Sequence, residues 1–314
     1  MNQENLKDKR IAVVGAGGVG GYLGAMLART YGHVTLVVRG RRMESIRENG
    51  LVLHSDYKGE IAARPERAVP IDQMGEQDII FVCVKNYSLE EACRDIQDFV
   101  TEDTIIVPVM NGVDPAERIA AALGKGTVVS SLIYIVAFAN EDFSVSQPWR
   151  IYSLRIGIEN AAPGQQEKVE LVSAILSGAD IDHKIAKDIE LEIWRKYILN
   201  CAYNVATAYY DNTIGELRSD PAKAKEYEDL VWEAYKVGVS KGVRLTEDHA
   251  SAIIHRFHHE LADDATSSLQ RDVRAGKPAE VETFCGYIVK EARKRSIDVP
   301  VTEKMYEGLS GTGR

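Results

Sequence analysis

Two groups of residues in this 314-residue chain have the types and spacing to do chemistry. The first is Gly15-Ala16-Gly17-Gly18-Val19-Gly20, directly after the apolar run Ile11-Ala12-Val13-Val14 near the N-terminus. Between a strand and a helix, the first glycine permits a tight turn and the second lets backbone approach a pyrophosphate. The third lets helix and strand pack closely. The helix start then presents unpaired N–H groups and a positive dipole end to the phosphates. The second group is Trp194-Arg195-Lys196-Tyr197-Ile198-Leu199-Asn200, with Asn204 one turn further on. Lys196, Asn200 and Asn204 recur every four residues, so on an α-helix they form one stripe. A cation and two amides on one stripe suit a polar ligand with a carbonyl to polarise. The plain alternative is a solvated helix face. However, Tyr197, Ile198, Leu199, Cys201 and Ala202 between them are largely apolar, and polar groups on a buried helix need partners. A substrate pocket supplies them. Together the two groups indicate an enzyme that moves a hydride from a bound dinucleotide.

The residues after the second strand choose the dinucleotide. An NAD site carries Asp or Glu about 20 residues past the glycines to bind the ribose 2′-OH. This chain has Val37-Val38-Arg39-Gly40-Arg41-Arg42 and no acid. A carboxylate would repel a 2′-phosphate, whereas a guanidinium can hold it bidentately. The expected cofactor is NADP(H), with Arg39 the first candidate; Arg41 or Arg42 assists it or simply begins a solvated helix. His255 and His259 also share a helical face, but no HExxH glutamate or further ligand cluster accompanies them. They are read as a solvated face, and no metal is expected.

Elements must position these groups. Short β-rich runs at Ile11–Val14, His33–Val38, Asp78–Val84 and Thr104–Val109 alternate with helical stretches at Tyr22–Thr30 and Leu89–Phe99. This alternation predicts a parallel, doubly wound α/β sheet of Rossmann type. Further strands are expected at Thr127–Ile135, 151–158 and Ile181–Ile185. After residue 188 helical periodicity takes over. The reading is a dinucleotide-binding domain at 1–188 and an all-α catalytic domain at 189–314, ending in a frayed tail at 308–314. Composition agrees with a soluble globular chain: 45% hydrophobic, 27% charged, net charge −9. That charge argues against nonspecific nucleic-acid binding and against an anionic membrane surface. Cys83, Cys93, Cys201 and Cys285 show no CxxC spacing and read as reduced thiols, and no apolar run approaches a signal peptide or a membrane span. The expected setting is the cytoplasm.

Several motifs carry a resemblance to a known family. They are the Gly15–Gly20 loop, Lys85 closing Phe81-Val82-Cys83-Val84-Lys85, the Asn111-Gly112 pair after a strand, and Trp194-x-Lys196-x-x-x-Asn200-x-x-x-Asn204. Thr266-Ser267-Ser268-Leu269-Gln270-Arg271-Asp272-Val273 follows, then Gly276-Lys277-Pro278-Ala279-Glu280-Val281-Glu282. In order and spacing, over nearly the whole chain, these resemble ketopantoate reductase (2-dehydropantoate 2-reductase). The resemblance implies reduction of 2-dehydropantoate to pantoate, a step of pantothenate biosynthesis, by a monomer or homodimer. It also implies Lys196 as catalytic lysine with Glu280 beside it, Asn200 and Asn204 lining the substrate, and Ser268 binding its carboxylate. Asn111 and Lys85 would stand where nicotinamide and substrate meet. Outside the resemblance, Glu280 reads as a first-turn helix acid and Ser268 as an N-cap. The chemistry is coherent: negative charge develops on the ketone oxygen, and a protonated lysine can stabilise it and donate the proton. With free lysine titrating at ~10.4, Lys196 is expected to be charged at neutral pH.

The chain also departs from the family. Val205-Ala206-Thr207-Ala208 replaces a proline-leucine-threonine run, Ile214 stands where some members carry asparagine, and Ala137–Trp149 lacks an expected glycine and histidine. These changes, read as lying in or near the pocket, leave the ketone chemistry intact and open the choice of 2-oxo acid towards a branched or aromatic one. Two other readings compete: a non-catalytic NADP(H)-binding regulator, and a β-hydroxyacid dehydrogenase, which shares a Lys-x-x-x-Asn helix but has a different glycine loop.

Overall fold

The structure is a computed structural model that describes residues 6–149 and 152–311. The chain divides into two compact units, Met1–Ile189 and Glu190–Arg314. In chain order the first contains β1 (Ile11–Val14), α1 (Gly18–Thr30), β2 (Val34–Val37), α2 (Gly40–Asn49), β3 (Leu51–Ser55), β4 (Gly59–Ala63) and β5 (Arg67–Val69). It continues through β6 (Ile79–Val82), α3 (Leu89–Ile96), β7 (Ile105–Pro108), α4 (Pro115–Leu123), β8 (Thr127–Val128) and β9 (Ser130–Ile135). Next come β10 (Phe138–Ala139), β11 (Val145–Gln147), β12 (Tyr152–Gly157), α5 (Pro163–Gly178) and β13 (His183–Ile185).

The main sheet is parallel throughout, in the order β5-β2-β1-β6-β7-β8. Its central strand β1 is buried at all four positions, which is why its sequence is a continuous apolar run without alternation. Successive side chains enter different cores. Ile11 and Val13 join Phe81, Val107 and the α1 residues Leu23, Met26 and Leu27. Ala12 and Val14 join Ile80, Val82, Leu89 and Ile96 of α3, and Ile119 of α4. This is the expected doubly wound α/β fold of Rossmann type.

Two smaller sheets accompany it, β10-β11-β3-β4 and β13-β12-β9. The strands β3, β4 and β5 carried no sequence expectation, although the alternating burial of Leu51, Leu53 and Ser55 marks a half-covered strand. The single strand expected over Thr127–Ile135 is two: β8 pairs with β7 in the main sheet, and from Ser130 the chain pairs antiparallel with β12. The strand expected from Ile181 begins at His183, because the Ile181 amide still closes α5 on Leu176 O and Asp180 is left-handed at φ +55°. Of the 151–158 expectation, position 151 lies outside the described residues.

The second unit is helical: α6 (Ile189–Tyr210), α7 (Ile214–Ser219), α8 (Pro221–Ser240), α9 (Glu247–His259), α10 (Ser268–Arg274), a π-helical turn (Glu282–Gly286) leading into α11 (Tyr287–Arg295), and α12 (Pro300–Gly311). Capping sets several starts. Thr213 and Glu216 form a capping box on α7, and the Asp220 carboxylate accepts from Ala222 and Lys223 at the head of α8. Glu233, buried on α8, accepts from the Val301 and Thr302 amides and so caps α12 from another helix. Residues 308–311, expected to fray, complete α12, and 312–314 lie outside the described residues. Among the described residues no helix is long and apolar enough to cross a membrane.

The junction of β1 and α1 leaves no room for a larger residue at Gly20, where a Cβ would lie 1.8 Å from Gly15 O. Gly20→Ala is expected to destabilise the fold by about 1–3 kcal/mol, as overpacking does. Thermal unfolding should therefore show a clear fall in Tm, while Gly32→Ala, with nothing within 4 Å, leaves Tm nearly unchanged.

Candidate functional site

In the first unit the glycine loop has the shape that an anionic group requires. Gly15 sits at φ +91°, a conformation open to glycine, and its amide donates to Val37 O at 3.2 Å. Gly17 is the N-cap of α1, and a Cβ there would meet nothing within 4 Å, so the approach to the helix start is open. The first turn contains no acidic residue. Its amides and the helix dipole therefore suit phosphate, and the loop fits a dinucleotide. Ala16 and Gly20 are buried, while Gly18 and Val19 are half-buried. The space a side chain at Gly18 would fill is taken by the backbone of Ala137 and Phe138, whose nearest atom lies 2.1 Å from the Cβ position. The sequence reading gave Gly18 no such part.

The three arginines after β2 differ in setting. Arg39 is exposed as the N-cap of α2. Arg41 lies over the Phe143 ring, 5.9 Å from its centroid. Arg42 is half-buried near Gly21, and its Nε and Nη2 find no hydrogen-bond partner among the described residues; burial pulls its guanidinium below its ordinary range. Lys85, after β6, and Asn111, after β7, are both half-buried. A residue that sequence reasoning missed ties their loops together. Asn86 donates from Nδ2 to Asn111 O at 2.8 Å, and Arg118 donates to Asn86 Oδ1 at 3.2 Å and to Asn86 O at 3.1 Å. Its only sequence signal is an amide directly following Lys85.

In the second unit, α6 carries Lys196, Asn200 and Asn204 as the periodicity implied. Lys196 is only 9% exposed. Burial pushes its ammonium down to about 8, against the pull of the Glu280 carboxylate, which raises it. Desolvation thus outweighs the neighbouring charge and takes Lys196 below an ordinary lysine, while leaving it mostly charged at neutral pH. Glu280 is buried, and its carbonyl accepts from the Thr283 and Phe284 amides at the head of the next helical segment.

Asn204 is buried and nearly fully used. Its Oδ1 accepts from the Ser268 hydroxyl at 3.1 Å and the Leu269 amide at 3.3 Å, and Nδ2 donates to Asn200 O at 3.2 Å. Asn200 and Ser268 are half-buried. The cap of α10 is Ser267, which accepts from the Gln270 amide at 3.0 Å and from Thr207 Oγ1 at 2.8 Å. Ser268 is thereby left to face Asn204. Of the departures from the family pattern, Val205, Ala206, Thr207 and Ile214 are fully buried in the helical unit, and Ala137 packs by its backbone against Gly18. The His255 and His259 rings lie 4.6 Å apart and tilted by 45°, with His255 against Glu260, and among the described residues no group of three or more His, Cys, Asp or Glu could hold a metal. All four cysteines are free.

A doubly wound sheet with a glycine-rich first turn, followed by a helical unit with a buried lysine, defines a dinucleotide-binding protein of two-unit type. Comparison with known proteins narrows this. The family described as ketopantoate reductase PanE/ApbA matches residues 11–157, and its C-terminal counterpart matches residues 188–312. The chain belongs to the ketopantoate reductase family of oxidoreductases. It is 28% identical to the uncharacterized oxidoreductase YkpB of Bacillus subtilis, covering 96% of this chain and 97% of that protein. It is 26% identical to a 2-dehydropantoate 2-reductase of Mesorhizobium japonicum, over 90% and 91%. It shares its fold with a D-mandelate dehydrogenase solved with NADH and anilino(oxo)acetate, at a TM-score of 0.85 and 20% identity over 97% of this chain and 98% of that one.

Removing the Asn204 side chain would leave the Leu269 amide and the Ser268 hydroxyl without their acceptor. Asn204→Ala is expected to cost about 1–3 kcal/mol, measured by urea denaturation, since a buried donor loses its partner.

Proposed function

We propose that the protein reduces a 2-oxo acid to the 2-hydroxy acid with NADPH, ketopantoate (2-dehydropantoate) being the leading substrate. The observation that carries this reading is Lys196. It is a buried ammonium with a titration lowered towards neutrality and opposed by Glu280, on the same helix as Asn200 and Asn204. Groups so tuned belong to proton transfer more often than to packing.

In this reading Gly15, Ala16, Gly17, Gly18, Val19 and Gly20 hold the pyrophosphate through backbone amides. Arg39 takes the 2′-phosphate, assisted by Arg42, whose Nε and Nη2 find no partner among the described residues. Lys85 and Asn111, tied by Asn86, border the nicotinamide. When bound, the dinucleotide supplies a hydride to the ketone carbon. Lys196 Nζ stabilises the charge that develops on the ketone oxygen and gives it the proton. Glu280 keeps Lys196 protonated. Ser268 turns its hydroxyl from Asn204 to the substrate carboxylate, and Asn200 orients the substrate, joined by the remaining amide hydrogen of Asn204. The protein acts in the cytoplasm, as a monomer or homodimer.

The test is oxidation of NADPH by purified protein with ketopantoate, repeated with NADH and with a panel of branched and aromatic 2-oxo acids. The expected result is a kcat/KM above roughly 10⁴ M⁻¹s⁻¹ with NADPH and ketopantoate. A different oxo acid winning by more than about tenfold would keep the chemistry and change the substrate. No turnover on any of them, with NADPH still bound, would leave a non-catalytic nucleotide-binding protein. Two further outcomes check the roles. Lys196→Ala should lower kcat by roughly 100-fold or more with NADPH affinity nearly unchanged. Because Lys196 must be protonated to donate, kcat should fall as pH rises through about 8. Glu280→Gln should move that limb to lower pH, since the charge that raises Lys196 is gone.

A further inference from the structure

A π-helical turn is an uncommon element, and the one at Glu282–Gly286 lies two residues after Glu280. In an α-helix each amide reaches the carbonyl four residues back. Here the Tyr287 amide reaches Glu282 O instead, five residues back. Thr283 O thereby loses the donor that an α-helix would give it, in a residue that is buried. An unmet buried carbonyl is costly, so a replacement is needed. It comes from α6: the Tyr197 hydroxyl donates to Thr283 O at 2.6 Å.

Tyr197 is next to Lys196 in the chain, and Thr283 belongs to the turn that starts at Glu280, whose carbonyl accepts the Thr283 amide at 3.1 Å. Two adjacent α6 residues therefore act on one short turn, Lys196 through the charge of Glu280 and Tyr197 through a hydrogen bond. The Tyr197 ring is 1% exposed and edge-on to Trp194 at 5.6 Å and to Tyr287 at 5.8 Å, which fixes where its hydroxyl points. The far end of the turn is held separately. Glu282 folds over Gly286, where a Cβ would lie 2.2 Å from its carboxylate, and accepts from the Tyr306 hydroxyl of α12.

We propose that Tyr197 is a positioning residue for the Lys196–Glu280 pair: by donating to Thr283 O it holds the π-helical turn in the register that sets Glu280 against Lys196. The proposal rests on the reading of Lys196 as proton donor. It predicts that loss of the Tyr197 hydroxyl lets the turn relax towards α-helical register, draws Glu280 away, and leaves the Lys196 ammonium less supported.

The experiment is an NMR titration of Lys196 in the full-length protein with isotope-labelled lysine, its signal assigned by its absence in Lys196→Met. Tyr197→Phe should lower the Lys196 midpoint by about one unit, as removing a neighbouring opposite charge does. Glu280→Gln should lower it too. The double variant should fall no further than Glu280→Gln alone, because both changes act through the same carboxylate. Placing p-aminophenylalanine at position 197, which restores a donor, should restore the midpoint. If the Tyr197→Phe chain does not fold, p-methylphenylalanine at 197 keeps the volume without the proton and gives the same comparison. An unchanged Lys196 midpoint in a folded variant, even one with a lower Tm, overturns the proposal, and so does an additive fall in the double variant. The titration needs neither dinucleotide nor oxo acid. Wild-type protein with no turnover would defeat the reductase reading while leaving this coupling measurable.

Discussion

Burying an ammonium group is unfavourable unless the surroundings repay part of the lost hydration, and the helical unit is arranged around Lys196 doing so. Glu280 offsets part of the loss and burial wins the remainder, which brings the group to about 8 and not to an ordinary lysine value. That balance needs a carboxylate fixed beside the helix that bears the lysine. Asn204, two turns along, ties the same helix to the head of α10 through Ser268 and Leu269. The polar stripe of α6 thus carries a buried cation at one end and a clamp at the other.

The first unit meets a different constraint, leaving the backbone amides at the start of α1 without a side chain in the way. A strand buried on both faces delivers the chain to the end of the parallel sheet, and α1 starts at once because Gly20 allows it to lie against Gly15. The loops after β6 and β7 are then joined by Asn86 and Arg118, so the ends of neighbouring strands are fixed by side-chain amide and guanidinium bonds rather than by more sheet.

Much of this was legible in the chain. Buried parallel strands announce themselves as apolar runs, and Lys196, Asn200 and Asn204 reveal their shared face by spacing alone. The strands β3, β4 and β5 were not read, because each is short and sets an exposed His54, Glu60 or Arg67 among its buried apolar residues. The break between β8 and β9 was also hidden, since Thr127–Ile135 is rich in strand-forming residues on both sides of Ser130 while its partners come from two different sheets. Around the site, residue types were readable and competition for their hydrogen bonds was not. Ser267 rather than Ser268 caps α10, and the choice turns on Thr207, sixty positions away. The depth of Val205 and Ile214 was equally invisible, as an apolar residue beside a polar stripe fits a pocket wall or a core equally well in sequence.

The contact between Gly18 and the backbone of Ala137 has a consequence for motion. The start of α1 and the link from β9 to β10 occupy each other's space, so neither can fluctuate outward without the other losing packing. An anion bound at that helix start would therefore also restrain a hairpin far away in the chain and slow amide exchange across residues 138–147.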